Sequence, residues 1–189
     1  LGWSAGGIHV EGRVASGNAE DGISVGNGTV RSSVGRGNGN TGIRAGNTGL
    51  IDSCHSEDNA WGYGGANFQL INSVAQDNTG GGVYCNVAAV IRGNRIASST
   101  LDSGSIGISI NNAGSHVAGN AILRQSTAVK VTGPNNFIVG NSISACSTAF
   151  NTVAGNRVGA IVVGTSSAAI NGNSGGGLGT TDPSANVLY

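Results

Sequence analysis

Charged side chains are scarce in this chain of 189 residues, where Asp, Glu, Lys and Arg make up only 10%. Nine basic and nine acidic residues cancel to a formal net charge of zero. Non-specific binding to nucleic acid or to an anionic membrane depends on a dense cationic surface, so we expect neither as a partner. The surface must instead be covered by Asn, Ser, Thr and Gly, which argues against an α-helical cytosolic protein.

Long apolar runs, proline and paired cysteines are missing as well. No stretch approaches the roughly 20 apolar residues of a membrane-spanning helix, so we expect a single domain without a membrane span. Proline occurs twice, and the 35 glycines do not follow the every-third spacing of collagen. Cys54, Cys85 and Cys146 lie far apart and lack the spacing of a metal or redox pair. We expect them to be small buried apolar residues.

A repeat organises the first half of the chain, because residues 2 to 92 can be written as rows of 20 without gaps. Positions of one kind then fall into columns. The glycine column and the column that follows it contain Gly2, Gly22, Gly42, Gly62, Gly82 and Trp3, Ile23, Ile43, Tyr63, Val83. Two more apolar columns contain Val10, Val30, Leu50, Leu70, Val90 and Val14, Val34, Cys54, Val74. The asparagine-rich columns contain Asn18, Asn38, Asp58, Asn78 and Asn27, Asn47, Asn67.

Each row predicts one coil of a parallel β-helix, because short β-prone runs are separated by Gly and Asn. Leu is too rare for a leucine-rich repeat. Coils stacked at about 4.8 Å bring like positions together, so we expect inward apolar ladders and asparagine amide ladders. Trp3 and Tyr63 are predicted to lie in the core and Trp61 outside it, while Cys54 and His55 could each face either way.

The repeat continues beyond residue 92 with changes of length. A pattern of apolar, any, Gly, Asn, any, apolar marks one side of each later coil, at residues 91–96, 117–122, 138–143 and 153–158. We therefore expect eight to nine rungs of 20–25 residues and a rod of roughly 40 Å. Rungs are predicted over residues 1–174, and residues 175–189 are predicted to form a capping tail of the same domain.

The Gly-Ile pairs, the Gly-Asn-any-Ile pattern and the terminal residues 182–189 resemble bacterial right-handed parallel β-helix repeat proteins of the pectin-lyase-like superfamily. The resemblance implies an all-β, single-domain right-handed solenoid. It does not imply a reaction, because that superfamily includes polysaccharide lyases, glycoside hydrolases, phage tailspikes and surface proteins of no assigned activity. The Asn-Thr-Asp, paired Asp, Gly-His-Gly and Arg-Ile-Lys segments of its pectin hydrolases do not occur in this sequence.

The best acidic cluster in the sequence is centred on Glu57 and Asp77. We expect these two carboxylates to share a column on adjacent rungs, about 5 Å apart, with Asp58 beside them. They could be the acid and nucleophile of a retaining glycosidase, or the three could bind calcium, or they could belong to a solvated turn. Arg36 and Trp61 are predicted to complete a carbohydrate-facing patch with them.

The sequence leaves three functions open. The leading hypothesis is a non-catalytic extracellular or cell-surface module that presents polar rungs to polysaccharide. The second is a polysaccharide lyase or glycosidase acting at the acidic patch, with calcium as the one cofactor considered. The third is a structural scaffold, monomeric or assembled end to end or side by side, because an open rung exposes unpaired backbone groups. The chain begins at Leu1 and shows no secretory leader, so we expect a mature or excised fragment.

Overall fold

The computed structural model describes residues 2–3, 7–163 and 182–189. Within these ranges the chain forms 23 β-strands and no helix. The strands pair in parallel and stack as a single-domain β-solenoid of about seven turns. The all-β solenoid prediction is confirmed, and the number of turns is smaller than the eight to nine rungs predicted.

Each turn contributes strands to three walls. Wall 1 contains β1 (Gly2–Trp3), β4 (Ile23–Val25), β7 (Thr41–Ala45), β10 (Trp61–Gly65), β13 (Gly81–Cys85) and β20 (Thr148–Thr152). Wall 2 contains β2 (Ile8–Glu11), β5 (Gly28–Arg31), β8 (Leu50–Asp52), β11 (Gln69–Ile71), β14 (Val90–Arg92), β16 (His116–Ala118), β18 (Phe137–Val139) and β21 (Arg157–Val158). Wall 3 contains β3 (Val14–Ser16), β6 (Val34–Arg36), β9 (His55–Glu57), β12 (Val74–Gln76), β19 (Ser142–Ser144), β22 (Ile161–Val163) and β23 (Asn186–Leu188).

Two long strands connect walls 3 and 1. β15 (Arg95–Ile110) and β17 (Ala121–Val131) pass through wall 3 and continue into wall 1 without a break. They join both walls in one 15-stranded sheet, whereas wall 2 is a separate sheet of eight strands.

The core is a stack of inward columns, one for each wall. On wall 1, Ile43, Tyr63 and Val83 align and are fully buried, as the rows predicted. The inward column of wall 2 contains Val10, Val30, Ile51, Leu70, Ile91, Val117 and Ile138. The inward column of wall 3 includes Ala75, Ile96, Ile122, Ile143 and Leu188. Burying one such aliphatic side chain stabilises the fold by about 1.5–3 kcal/mol.

The predicted wall 2 column is wrong at two of its positions. Leu50 and Val90 align with Gln69 and are only half-buried, while Ile51 and Ile91 take the inward places. The turn between walls 1 and 2 varies by one residue from coil to coil. Because side chains alternate along a strand, a slip of one residue exchanges the inner and outer faces.

The column of Val14, Val34, Cys54 and Val74 is wrong in the same way. His55, not Cys54, aligns with Val34 and Val74, and this column faces outward, with Val14 71% exposed. Cys54 is buried, and its backbone N–H donates to the Ser73 hydroxyl at 3.1 Å. The side chain of Cys54 therefore faces inward, and that of His55 faces outward.

The predicted burial of the cysteines is confirmed for two of the three. Cys54 and Cys85 are buried and Cys146 is half-buried, and all three are free thiols. Desolvation by burial raises the pKa of each thiol, and backbone hydrogen bonds oppose it less strongly.

Asparagine amides stack at the corners, as predicted for the column of Asn18, Asn38 and Asn78, whereas Asn27, Asn47 and Asn67 are exposed. The ladder between walls 3 and 1 contains Asn18, Asn38, Asn59 and Asn78. The Oδ1 atoms of Asn38, Asn59 and Asn78 each accept from the backbone N–H and the Nδ2 of the asparagine one rung earlier, at 2.8–3.1 Å. Asn59 takes the place predicted for Asp58, which is exposed at the turn with a φ of 55°. A second ladder, between walls 2 and 3, contains Asn94, Asn120, Asn141 and Asn186.

The last strand of the sequence is not the last strand of the wall. β23 lies between β19 and β22. The pattern predicted at residues 153–158 is offset, because Val158 aligns with Ile138 and Asn156 stacks on Asn136 instead of Asn141. The domain boundary predicted after residue 174 lies outside the described residues, as does the side chain of Trp3, and the capping role of the tail stays a prediction.

Candidate functional site

The predicted acidic patch is divided among separate contacts. Gln76, not Asp77, is the register neighbour of Glu57. Arg36 is the register neighbour of Glu57 on the previous rung, with its Nη1 3.5 Å from the Glu57 Oε1. His55 Nε2 lies 3.1 Å from the other carboxylate oxygen. The Glu57 carboxylate is therefore engaged by two basic side chains on wall 3.

Asp77 occupies the corner beyond wall 3, in the turn position that Asp58 has one rung earlier. Its carboxylate accepts the backbone N–H of Ser99, and its other oxygen accepts Gln76 Nε2 at 3.2 Å. Desolvation acts to raise the pKa of this carboxyl, but these hydrogen bonds and the positive charge of Arg95 together hold the pKa below its usual value. Asp77 is thus a satisfied turn residue.

The calcium site predicted at Glu57, Asp58 and Asp77 gains no support from the geometry. Among residues 2–3, 7–163 and 182–189, no group of three or more His, Cys, Asp or Glu side chains is placed to hold a metal ion. The catalytic and metal roles proposed for these residues stay predictions.

Trp61 lies on a different wall from Glu57 and contacts another aromatic side chain. Trp61 on β10 and Tyr84 on β13 meet edge to face on the outer surface of wall 1, with ring centroids 5.5 Å apart and an interplanar angle of 72°. Both side chains are half-buried. We call this pair the aromatic platform.

Glycines beneath the two rings allow them to lie close to the sheet. A Cβ on Gly64, the register neighbour of Tyr84, would overlap the Tyr84 ring. A Cβ on Gly81, the register neighbour of Trp61, would lie 2.9 Å from the Trp61 Cζ3 and would overlap a backbone carbonyl of the next rung. Gly81 also has a φ of 152°, which L side chains rarely adopt. The platform is therefore shaped by its glycines as much as by its aromatics.

Polar groups surround the platform. The Trp61 indole N–H and the Tyr84 hydroxyl have no hydrogen-bond partner among the described residues. Thr41, the other register neighbour of Trp61, is fully buried, and its Oγ1 also has no partner within the described part of the chain. The site thus combines an apolar surface with the unpartnered N–H of Trp61 and O–H of Tyr84, while the Thr41 hydroxyl is buried beyond the reach of a ligand.

Two basic side chains flank Tyr84 in its outward column. That column contains Ser24, Arg44, Gly64, Tyr84, Ser109, Lys130 and Asn151. Arg44 and Lys130 are four rungs apart, about 19 Å at the usual strand spacing. Arg44 pairs with Asp21 at 3.6 Å, while Lys130 makes no ion pair with any described residue.

Trp61 was predicted from the sequence as a ligand residue, and Tyr84 was not. A signal existed, because Tyr84 directly follows the inward Val83 and must face outward, and the row before it has a glycine at the equivalent position. Arg36, Asp58, Glu57 and Asp77 do not contribute to the platform.

No family model, curated protein or solved structure matches this chain. The described residues contain no helix with the length and apolar character needed to cross a membrane. The parallel solenoid is therefore shown by the structure alone, and the comparisons with known proteins identify no specific superfamily.

Proposed function

We propose that this protein is a non-catalytic β-solenoid module that binds polysaccharide at the aromatic platform of wall 1. The observation that carries the proposal is the seating of Trp61 and Tyr84 against glycine backbone, with free N–H and O–H groups at their edges. Aromatic faces with polar edges suit sugar rings, which present apolar C–H faces and a rim of hydroxyl groups.

The shape of wall 1 fits an extended ligand. Trp61 and Tyr84 belong to successive rungs, so a chain lying along the solenoid axis would contact both rings. The outward column extends this surface in both directions with hydrogen-bonding side chains such as Ser109 and Lys130.

We also propose an extracellular or cell-surface location and a bacterial, pectin-lyase-like affiliation. The low charge, the polar uncharged surface and the parallel solenoid support both ideas. Catalysis at Glu57 is the weaker alternative, because Arg36 and His55 already engage its carboxylate and Asp77 is not its register neighbour.

The decisive experiment is a glycan-array screen with and without calcium, followed by affinity measurements on the best ligand. Trp61→Ala and Tyr84→Ala should each weaken binding about tenfold or more, corresponding to about 1.4 kcal/mol. Gly64→Ala should weaken it too, because the new Cβ displaces the Tyr84 ring.

Phe137→Ala is the matched control. Phe137 is an aromatic residue on the outer surface of wall 2, 44% exposed and packed on His116 with centroids 5.2 Å apart. Its removal should leave glycan binding unchanged. Equal losses in the Trp61 and Phe137 variants would contradict the proposed site, and release of cleaved sugar would favour the enzyme alternative.

A further inference from the structure

An ion pair lies beside the aromatic platform on wall 1. Arg44 Nη1 is 3.6 Å from Asp21 Oδ2. Arg44 belongs to the outward column of Tyr84, and Gly64 lies between them as the register neighbour of both. Asp21 precedes β4, the strand that pairs with β7, which contains Arg44. The pair and the platform therefore belong to one continuous surface.

In the outward column, no side chain separates Arg44 from the Tyr84 ring. Gly64 carries none, and the Tyr84 ring occupies the space where a Cβ on Gly64 would lie. The ring thus lies over the rung of Trp61, and Arg44 belongs to the rung before it, roughly 4.8 Å away along the axis. In a polysaccharide chain that runs along the axis, a sugar stacked on Tyr84 has its neighbour over Arg44.

Asp21 is fixed, while Arg44 keeps hydrogen-bonding capacity for a ligand. The Asp21 Oδ1 accepts Asn40 Nδ2 at 2.9 Å and the backbone N–H of Thr41 at 3.1 Å. The Asp21 side chain is 14% exposed and that of Arg44 is 48% exposed. A guanidinium has N–H donors on three nitrogens, and the ion pair engages only one of them. Asp21 therefore orients Arg44 without using all of its donors.

The charge of this surface is balanced. The outward column of wall 1 contains two charged side chains, and Asp21 compensates the one at Arg44. The other, Lys130, is two rungs beyond Tyr84, roughly 10 Å along the axis. A ligand carboxylate placed at Arg44 would also lie near the Asp21 carboxylate, which repels it, and would lose hydration. A sugar hydroxyl meets neither cost.

We propose that Arg44, oriented by Asp21, is a ligand-binding residue beside the aromatic platform, and that the ligand is an uncharged polysaccharide. Arg44 donates hydrogen bonds to sugar hydroxyl oxygens while the neighbouring sugar stacks on Tyr84. Asp21 cancels the positive charge that would otherwise attract a uronate. This inference rests on the proposed glycan binding at the platform and adds the chemical class of the glycan.

The test compares hexasaccharides in pairs that differ only at C6. One member of each pair carries a hydroxymethyl group and the other a carboxylate, as in glucose and glucuronate, galactose and galacturonate, and mannose and mannuronate. Calorimetry measures each affinity in about 0.02 M and about 0.5 M NaCl, because salt screens attraction between charges. We expect at least one uncharged hexasaccharide to bind about tenfold or more tightly than its uronate partner, with an affinity independent of salt.

Two arginine variants test the role of Arg44. Arg44→Ala should weaken binding of the uncharged hexasaccharide about tenfold, as expected for an arginine that contacts the ligand. Arg31→Ala is the matched control, because Arg31 on wall 2 pairs with Asp52 at 3.5 Å and its side chain is also 48% exposed. Its removal should leave the affinity unchanged. Circular dichroism checks that both variants are folded.

Asp21→Asn tests the charge compensation. The amide keeps an oxygen that can accept from Asn40 and Thr41, but the negative charge beside Arg44 is lost. The uronate hexasaccharide should gain affinity by about fivefold or more at low salt, and the gain should shrink at high salt. An unchanged uronate affinity would show that Asp21 does not set the ligand class.

The remaining outcomes separate this inference from the proposed function. Equal or tighter binding of the uronate by the parent chain, abolished by Trp61→Ala, would overturn the ligand class and leave the platform intact. Equal effects of Arg44→Ala and Arg31→Ala would overturn the role of Arg44. Binding of no hexasaccharide, or binding that Trp61→Ala does not weaken, would overturn the platform itself.

Discussion

The turns up to residue 92 and the turns after it place their amide ladders at different corners. In the early turns, Asn18, Asn38, Asn59 and Asn78 stack between walls 3 and 1. In the late turns, Asn94, Asn120, Asn141 and Asn186 stack between walls 2 and 3, and Asn136 and Asn156 stack between walls 1 and 2.

The strands end at the corners that carry an asparagine ladder, and two of the three late strands pass through the corner that lacks one. Where asparagines occupy the corner between walls 3 and 1, the strands end there and the turn is short. In the late turns Ser98, Gln125 and Cys146 stand at that corner, and Gln125 Nε2 donates to the Ser98 hydroxyl at 2.8 Å. β15 and β17 then run through the corner unbroken, with register shifts between Ala97 and Ile106. Rungs of changed length are accommodated where the amide ladder is missing.

The largest expected effect is the loss of a central ladder residue in the early turns. Asn59 Nδ2 donates to Asn78 and to two backbone carbonyls, and its Oδ1 accepts two hydrogen bonds from Asn38. Asn59→Ala should lower the free energy of unfolding by about 2–4 kcal/mol, because several buried groups lose their partners. Urea denaturation measures this change.

The matched variant is Gln125→Ala, at the same corner in the late turns. Its Oε1 already lacks a partner in the described structure. The cost should therefore be smaller than that of Asn59→Ala. Equal costs would contradict the distinction between the two corners.

The next largest effect is expected at the end of the late ladder. Asn186→Ala removes the amide that joins β23 to Asn141 and to the carbonyl of Gly159. Amide hydrogen exchange of Ile161–Val163 should accelerate by at least about tenfold, because β22 is held by β23. Exchange in Trp61–Gly65 should stay unchanged. Uniform acceleration across both regions would show that the early and late turns unfold together.

A smaller effect is expected inside the early core. The Tyr63 hydroxyl crosses the interior from wall 1 and donates to the Val74 carbonyl of wall 3 at 2.8 Å, and burial raises its pKa well above the usual value. Its column continues in the late turns to Phe150, which has no hydroxyl. Tyr63→Phe should cost about 1 kcal/mol in the free energy of unfolding. A neutral substitution would show that this cross-wall bond does not distinguish the early turns.

The smallest effect concerns the boundary between the two regions. Asp77 belongs to the last early turn, and its carboxylate accepts the N–H of Ser99 in the first late turn. Its folded pKa is lowered, so its contribution to stability is present above the ordinary carboxyl pKa of about 3.9 and is lost as pH falls through the depressed value. Asp77→Asn should therefore lose less stability than the parent chain in an acid titration followed by circular dichroism. An unchanged acid transition would show that the Asp77 carboxylate does not stabilise the contact between the early and the late turns.

The sequence predicted the solenoid because glycine, apolar and asparagine positions recur together at a fixed period. It misplaced Leu50 and Val90, and it aligned Cys54 instead of His55 with Val34, because a gapless period of 20 cannot reveal a one-residue change in a turn, and one residue exchanges the two faces. A one-residue change in a turn also explains why Gln76, and not Asp77, is the register neighbour of Glu57.

The platform and the inserted strand were harder to predict. Trp61 stands out in its column, but its contact with Tyr84 depends on glycines from neighbouring rungs. The position of β23 depends on its pairing with β19. The end of β19 at Ser144 and the start of β23 at Asn186 are 42 positions apart in the sequence. Local patterns carry no information on that distant pairing.

Cross-linking on wall 2 tests most directly the claim that turns stack in the observed register. Thr29 aligns with Leu50, and both half-buried side chains face outward. The Thr29→Cys, Leu50→Cys double variant should oxidise quickly to an intramolecular disulfide, while Thr29→Cys, Gly49→Cys should not. Preferential cross-linking of positions 29 and 49, the spacing of a uniform 20-residue repeat, would contradict the register, and failure of both pairs would contradict the stacking of these coils.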